Sequence, residues 1–177
     1  KPGDVQVEIV KDNFLPDALY TSNFDNTSDG WTNIRVFGDY MGDPDVIQWG
    51  ATTANDSHYI YQDFTEITVG RRYRIEGSVY IPSANPTCDS VVIEQGTNNS
   101  VDGGGNVVAS QISAGVTNKW VDFNANFTAE DISSPERMYF YGLPNDKDDY
   151  RWAGGAAPNY DFFRLKDITI TEAADTP

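Results

Sequence analysis

The segment from Tyr59 to Pro82 constrains the fold more than any other part of this chain. Tyr73, Ile75, Gly77, Val79 and Ile81 share one phase of a two-residue repeat, and Arg74, Glu76, Ser78 and Tyr80 share the other. Such alternation places one face of a strand in a core and the other toward water. Gly70 supplies the backbone freedom for the turn into the strand. Pro82, with no N–H to offer a neighbour, ends its pairing. Tyr59 to Phe64 is extended as well, so the unit reads strand, loop, strand. Its outward face sets an arginine, a glutamate and a tyrosine side by side, groups that stack on and hydrogen-bond to a polar ligand.

The same pattern recurs along the chain. Val5 to Ile9, Leu19 to Phe24, Trp31 to Phe37, Val46 to Thr53 and Ser90 to Gln95 read as strands, as do Val107 to Ser113, Lys119 to Thr128, Arg137 to Leu143 and Phe162 to Thr171. Turn signals separate them at Asp25 to Gly30, Gly42 to Asp45, Asn55 to Ser57 and the glycine-rich stretch from Thr97 to Gly105. Roughly ten strands with turns every 8–12 residues predict an all-β fold, here a two-sheet antiparallel jelly-roll β-sandwich. No helical period lasts beyond a turn or two. The 177 residues form one expected domain, 1–177, with about 1–18 as a lead-in strand or linker. The loop-like start Lys1-Pro2-Gly3-Asp4 leads us to expect a longer parent chain.

Charge narrows the partners. A formal net charge of −15 opposes binding to nucleic-acid phosphates or anionic lipid. It suits solubility, a neutral ligand or Ca²⁺. Cys88 is the only cysteine, so no intrachain disulfide forms. We expect a monomer with no nucleic-acid or membrane partner.

Three segments together resemble jelly-roll carbohydrate-binding modules of the kind appended to xylanases and glucanases, with a galactose-binding-like β-sandwich. Tyr61-Gln62-Asp63-Phe64 followed by Val69-Gly70-Arg71-Arg72-Tyr73-Arg74-Ile75-Glu76-Gly77-Ser78-Val79-Tyr80 looks like their central strand pair. The run from Leu19 through Phe24-Asp25 to Gly30-Trp31 resembles their opening segment, and Phe163-Arg164-Leu165-Lys166-Asp167-Ile168-Thr169-Ile170 resembles their closing strand. The resemblance spans about residues 19 to 171. It implies a non-catalytic module that binds a polysaccharide, a β-glycan by preference, brings a covalently linked partner to it, and works outside the cell or on a cell or virion surface. It also implies one structural Ca²⁺ between the opening turn and the last strand. Asp25 and Asp167 fall at the ligand positions, although Asp25 replaces a glutamate and Lys166 an aspartate. Ca²⁺ takes six to eight oxygens, so Asp45 or Asp43 and main-chain carbonyls would complete the shell.

Sugars present flat C–H faces to rings and hydroxyl rims to planar polar groups. Arg74, Glu76 and Tyr80 on the central strand meet that need, as do Tyr139 and Tyr141, which alternate with Met138 and Phe140. Trp49, Tyr61 and Gln62 join from adjacent strands, their facing open. Tyr150 and Trp152 lie in the loop from Pro144 to Tyr160. Trp31 and Trp120, at strand starts, are expected in the core.

Catalytic signals are weak. Among 27 acidic residues some pair always fits a glycosidase separation. His58 is the only histidine, with no nucleophile elbow to serve, and Cys88 has no basic neighbour to activate it. The alternatives to a binding module are a structural or adhesive module of a surface or phage tail assembly and, below that, a small polysaccharide lyase.

Overall fold

The structure, a computed structural model, describes residues 13–25, 27–32, 36–40, 43–50, 59–96, 105–144, 155–156 and 159–174. The expected strand Val5 to Ile9 lies outside them. In order the strands are β1 (Tyr20–Thr21), β2 (Val36–Tyr40), β3 (Asp43–Gly50), β4 (Tyr59–Phe64), β5 (Arg72–Tyr80) and β6 (Cys88–Gly96). Then come β7 (Asn106–Ile112), β8 (Trp120–Thr128), β9 (Glu136–Pro144), β10 (Gly155–Ala156), β11 (Asn159–Tyr160) and β12 (Phe162–Glu172).

Two antiparallel sheets result. The first runs β2-β3-β12-β5-β8, with β1 also on β12; the second runs β4-β9-β6-β7. The short β10 and β11 pair with each other. The chain changes sheet between β3 and β4, β4 and β5, β5 and β6, β7 and β8, β8 and β9, and again before β12. Repeated crossing of this kind makes a jelly roll.

The two inner faces share one core. Ile47, Trp49, Tyr73, Ile75, Val79, Phe163 and Leu165 from the first sheet meet Ile60, Phe64, Val91, Ile93, Met138 and Phe140 from the second. Burying each side chain of this size contributes about 1.5–3 kcal/mol. Gly77 occupies an inward position because a Cβ there would lie 2.7 Å from Cζ of Phe123 and 3.1 Å from the Lys166 carbonyl oxygen. Trp31 lies in the core as expected, 3% exposed. Its Nε1 donates to Tyr20 Oη (2.9 Å), which donates to Asp29 Oδ2 (2.7 Å).

Three expectations are corrected. Trp49, a candidate ligand-binding ring, is fully enclosed and stacks on Phe163 with centroids 5.3 Å apart, because it shares the inward phase of Ile47. Trp120, expected in the core, is half-buried on the outer face, since its strand partner Tyr80 points outward. Asp43 to Asp45 belong to β3 rather than to a turn, with Asp43 paired to Tyr40.

The β5–β6 crossover is tied to the start of β12. Fully buried Asp161 accepts from Thr87 N (2.9 Å), Cys88 N (2.8 Å) and Thr87 Oγ1. Asn85 extends the tie, donating to the Phe162 carbonyl (2.7 Å) and accepting from Phe162 N (2.9 Å). Losing a buried carboxylate that satisfies two amides leaves them stranded, at a cost of about 3 kcal/mol. Asp161→Ala should therefore lose about that much stability in urea denaturation. A loss below about 1 kcal/mol would show that water replaces the carboxylate.

Candidate functional site

β4 and β9 pair so that Tyr59 faces Tyr141, Tyr61 faces Tyr139 and Asp63 faces Arg137. All six sit on the outer phase, because the intervening pairs Ile60–Phe140 and Gln62–Met138 point inward. Four tyrosines thus gather on the outer face of the second sheet. Tyr139 and Tyr141 are buried, 1% and 2% exposed, in a second apolar cluster with Val92 and Leu143; Tyr59 and Tyr61 pack over it half-buried. Tyr59 meets Tyr139 edge-on at 5.3 Å, and Tyr61 lies 5.6 Å from Tyr139.

At the end of this row Asp63 grips Arg137 through two bonds, Nε to Oδ1 at 2.6 Å and Nη2 to Oδ2 at 3.0 Å. The guanidinium lies 4.0 Å over the Tyr61 ring, and its Nη1 reaches Tyr139 Oη at 3.5 Å. A bidentate pair stacked on a ring fixes both partners in plane and position.

β6 adds Glu94 to the face, opposite Tyr139 and, on the other side, Val107 of β7. Glu94 is fully buried and accepts from Tyr141 Oη at 2.9 Å. Gly105 passes so close that a Cβ there would stand 2.2 Å from Glu94 Oε1. Burial raises the Glu94 carboxyl pKa above its ordinary value, against the hydrogen bond from Tyr141 and the Gly105 amide, which lower it. Burial also pushes the Tyr139 hydroxyl up to about 12.

The sequence-predicted residues divide between two opposite faces. Tyr61, Tyr139 and Tyr141 come together on the second sheet. Arg74, Glu76 and Tyr80 lie on the outer face of the first, bound into their own neighbours. The Arg74 guanidinium stacks 4.1 Å over Phe14, and its Nε lies 3.4 Å from Glu76 Oε2. Glu76 accepts from Asn124 Nδ2 at 3.1 Å. Tyr80 is 8% exposed, 5.6 Å from Trp120 and under the Arg164 guanidinium at 5.1 Å. Gln62 turns inward against Gly30, where a Cβ would meet its Nε2 at 2.8 Å. Trp152 lies outside the described residues. Tyr59, Asp63, Arg137 and Glu94 escaped the sequence reading, although each shares a strand phase with a tyrosine or interrupts an apolar run.

The calcium positions border the bulge in the middle of β12. Ser22 and Ile168 exchange backbone and hydroxyl hydrogen bonds, Ser22 N to Ile168 O (2.8 Å) and Ile168 N to Ser22 Oγ (2.9 Å), bringing the turn holding Asp25 to the bulge holding Asp167. Asp45 precedes Val46, the partner of Lys166. Among the described residues, however, no group of three or more His, Cys, Asp or Glu side chains converges, and Asp43 is held by Lys166 at 2.5 Å. These side chains fit a calcium ion only if main-chain carbonyls supply most of its oxygens.

The architecture is that of the jelly-roll carbohydrate-binding modules. The CBM22-1 xylan-binding domain of Paenibacillus barcinonensis Xyn10C superposes with a TM-score of 0.60 at 16% identity, over 94% of this chain and 99% of that one. The CBM22-1-GH10 modules of Clostridium thermocellum xylanase Xyn10B, complexed with xylohexaose, give 0.58 at 13% identity, covering 93% of this chain and 30% of that one. The N-terminal cellulose-binding domain of Cellulomonas fimi β-1,4-glucanase C gives 0.51 at 13% identity, over 86% and 95%. No protein-family model and no curated protein sequence matches the chain.

The raised Glu94 pKa has a consequence for stability. A native carboxyl that holds its proton more tightly than the unfolded one stabilises the fold at low pH. That contribution is lost as pH rises through the native pKa. Glu94→Gln keeps an acceptor for Tyr141 without burying a charge. In urea melts it should gain stability relative to the parent as pH rises from about 4 to 7. A constant difference across that range would show that the folded and unfolded carboxyls titrate alike, so that burial does not raise the Glu94 pKa.

Proposed function

We propose that this chain is a non-catalytic carbohydrate-binding module that holds a β-linked polysaccharide against the tyrosine face of the second sheet. The register of β4 on β9 carries this reading, since it assembles four rings on a face turned away from the core. Tyr59 and Tyr61 offer partly exposed aromatic surface to the C–H faces of sugar rings. Tyr139 and Tyr141 brace them from beneath. The likeness to a xylan-binding and a cellulose-binding domain supports a β-glycan as the ligand. A polysaccharide target implies an extracellular or surface location. A linked partner gains by being held at high effective concentration on its substrate.

The site chemistry favours binding over turnover. A tyrosine base needs a lowered pKa, whereas burial pushes Tyr139 up to about 12. Glu94 is enclosed and Asp63 is engaged by Arg137, so neither stands ready to flank a glycosidic bond. The burial of Tyr139 and Tyr141 favours a second reading, a structural or adhesive module, because two of the four tyrosines are already covered.

Affinity electrophoresis through gels of xylan, β-glucan and hydroxyethyl cellulose separates these readings. We expect retardation by at least one glycan and a loss of roughly tenfold in affinity for Tyr61→Ala, about 1.4 kcal/mol. Tyr80→Ala and Arg74→Ala, on the other sheet, should leave affinity within about twofold. Retardation lost in Tyr80→Ala but kept in Tyr61→Ala would move the site to the first sheet. No retardation by any glycan would favour the structural module.

We further propose, as a separate matter, that Asp25, Asp45 and Asp167 draw Ca²⁺ to the turn beside the β12 bulge. A ligand that binds the folded state alone, present at a hundred times its Kd, stabilises by about 2.7 kcal/mol. Millimolar calcium should then raise Tm by several degrees, reversed by EDTA and absent in Asp167→Ala. An unchanged Tm would remove calcium from the account.

A further inference from the structure

Arg137 is the one basic side chain on the tyrosine face among the described residues. Arg72, Arg74, Arg164 and Lys166 ride the first sheet, while Arg71 and Lys119 lie in connections. A guanidinium beside stacked rings is the group that would recognise a carboxylate on a uronic-acid sugar, by two parallel hydrogen bonds. In this structure that double contact is already made, by Asp63. Asp63 stands on the outer face of β4, an edge strand, with a side chain 37% exposed; the Arg137 side chain is 15% exposed. The more exposed carboxylate therefore takes the Nε–Nη2 edge of the cation.

We infer that Asp63 is a specificity-determining residue: it neutralises Arg137 and makes the tyrosine face select neutral glycans against acidic ones. The inference rests on the proposed glycan site and goes beyond it by assigning the rejection of one substrate class to one side chain. Specificity is a difference of affinities, and a built-in repulsive element sets it as effectively as an attractive one. An incoming uronate meets a carboxylate where it would need a free guanidinium. Glu94 lies farther along the same face and adds no cation. The chain's net charge of −15 opposes a polyanion at long range as well. Arg137 retains a second task, since its stacking on Tyr61 holds that ring in place.

The test compares affinity for neutral arabinoxylan with affinity for glucuronoxylan and polygalacturonate, in the parent protein, Asp63→Asn, Asp63→Ser and Asp63→Asn/Arg137→Gln. Circular dichroism melts establish that each variant folds. The parent should bind arabinoxylan and discriminate against polygalacturonate. Both Asp63 variants should shift the acidic-to-neutral affinity ratio at least roughly tenfold toward the acidic glycan, with a gain that fades as salt rises. Adding Arg137→Gln should abolish the gain. A folded Asp63→Asn or Asp63→Ser with the parental ratio overturns the inference while leaving the glycan site standing. So does a gain that persists without Arg137. A parent that binds no glycan at all overturns the site itself, and the inference with it.

Discussion

β9 has apolar side chains on both of its faces, and the rest of the molecule depends on which face each one takes. Met138 and Phe140 close the core between the sheets; Tyr139, Tyr141 and Leu143 build the second cluster on the far side. A slip of one residue would exchange the two sets, putting tyrosine hydroxyls into the core. The start of β9 holds it against that slip. Gln95 Nε2 donates to Glu136 Oε2 at 2.7 Å and to the Glu130 carbonyl at 2.8 Å, while Arg137 N donates to Ser133 Oγ at 3.0 Å. A buried polar network with fixed donors and acceptors tolerates one register, whereas apolar contacts tolerate several.

The two outer faces of the sandwich differ in how their polar groups are satisfied. On the first sheet the cations are laid over rings: Lys166 Nζ is 4.4 Å from the Trp120 centroid, and Arg164 sits between Tyr80 at 5.1 Å and Phe162 at 4.7 Å. Arg164 also donates to Gln48 Oε1 at 3.0 Å, and Lys166 to Asp43. Breaking such contacts to admit a ligand forfeits what they contribute, so this face is better suited to holding strands together. Among the described residues the second sheet carries a single such unit, Arg137 with Asp63 and Tyr61, at one end of a row of tyrosines. That asymmetry argues for the second sheet as the working surface.

Strand phase was legible in the sequence; the assignment of a phase to one sheet or the other was not. The alternation of Tyr73 to Ile81 against Arg74 to Tyr80 is realised in β5. Nothing local, however, says that the outward side of β5 and that of β9 look in opposite directions. That follows from the chain crossing between sheets, a long-range fact. Trp120 is different, because its phase mates Asp122, Asn124 and Asn126 are polar and already mark it as outward. A position at a strand start was the weaker signal. Trp49 was ambiguous because both phases of β3 carry a buried apolar residue: Val46 is as enclosed as Ile47. Asp63 and Arg137 each share a phase with a tyrosine, but their partnership depends on register across 74 residues.

Burial of Tyr139 and Tyr141 bears on affinity as well as on access. A flexible ring loses rotamer freedom when it clamps a sugar, at about 0.5–1.5 kcal/mol for each immobilised side chain. Tyr61 is held in advance, by Arg137 over its face and Tyr139 against its side. On the proposed reading, the covered tyrosines would contribute through order already present before a ligand arrives. With a neutral ligand there is no electrostatic steering toward this acidic chain, so association proceeds at an unassisted rate. Affinity at the proposed site would then rest on short-range stacking and hydrogen bonds and change little with salt. That combination favours fixed rings over a charged groove.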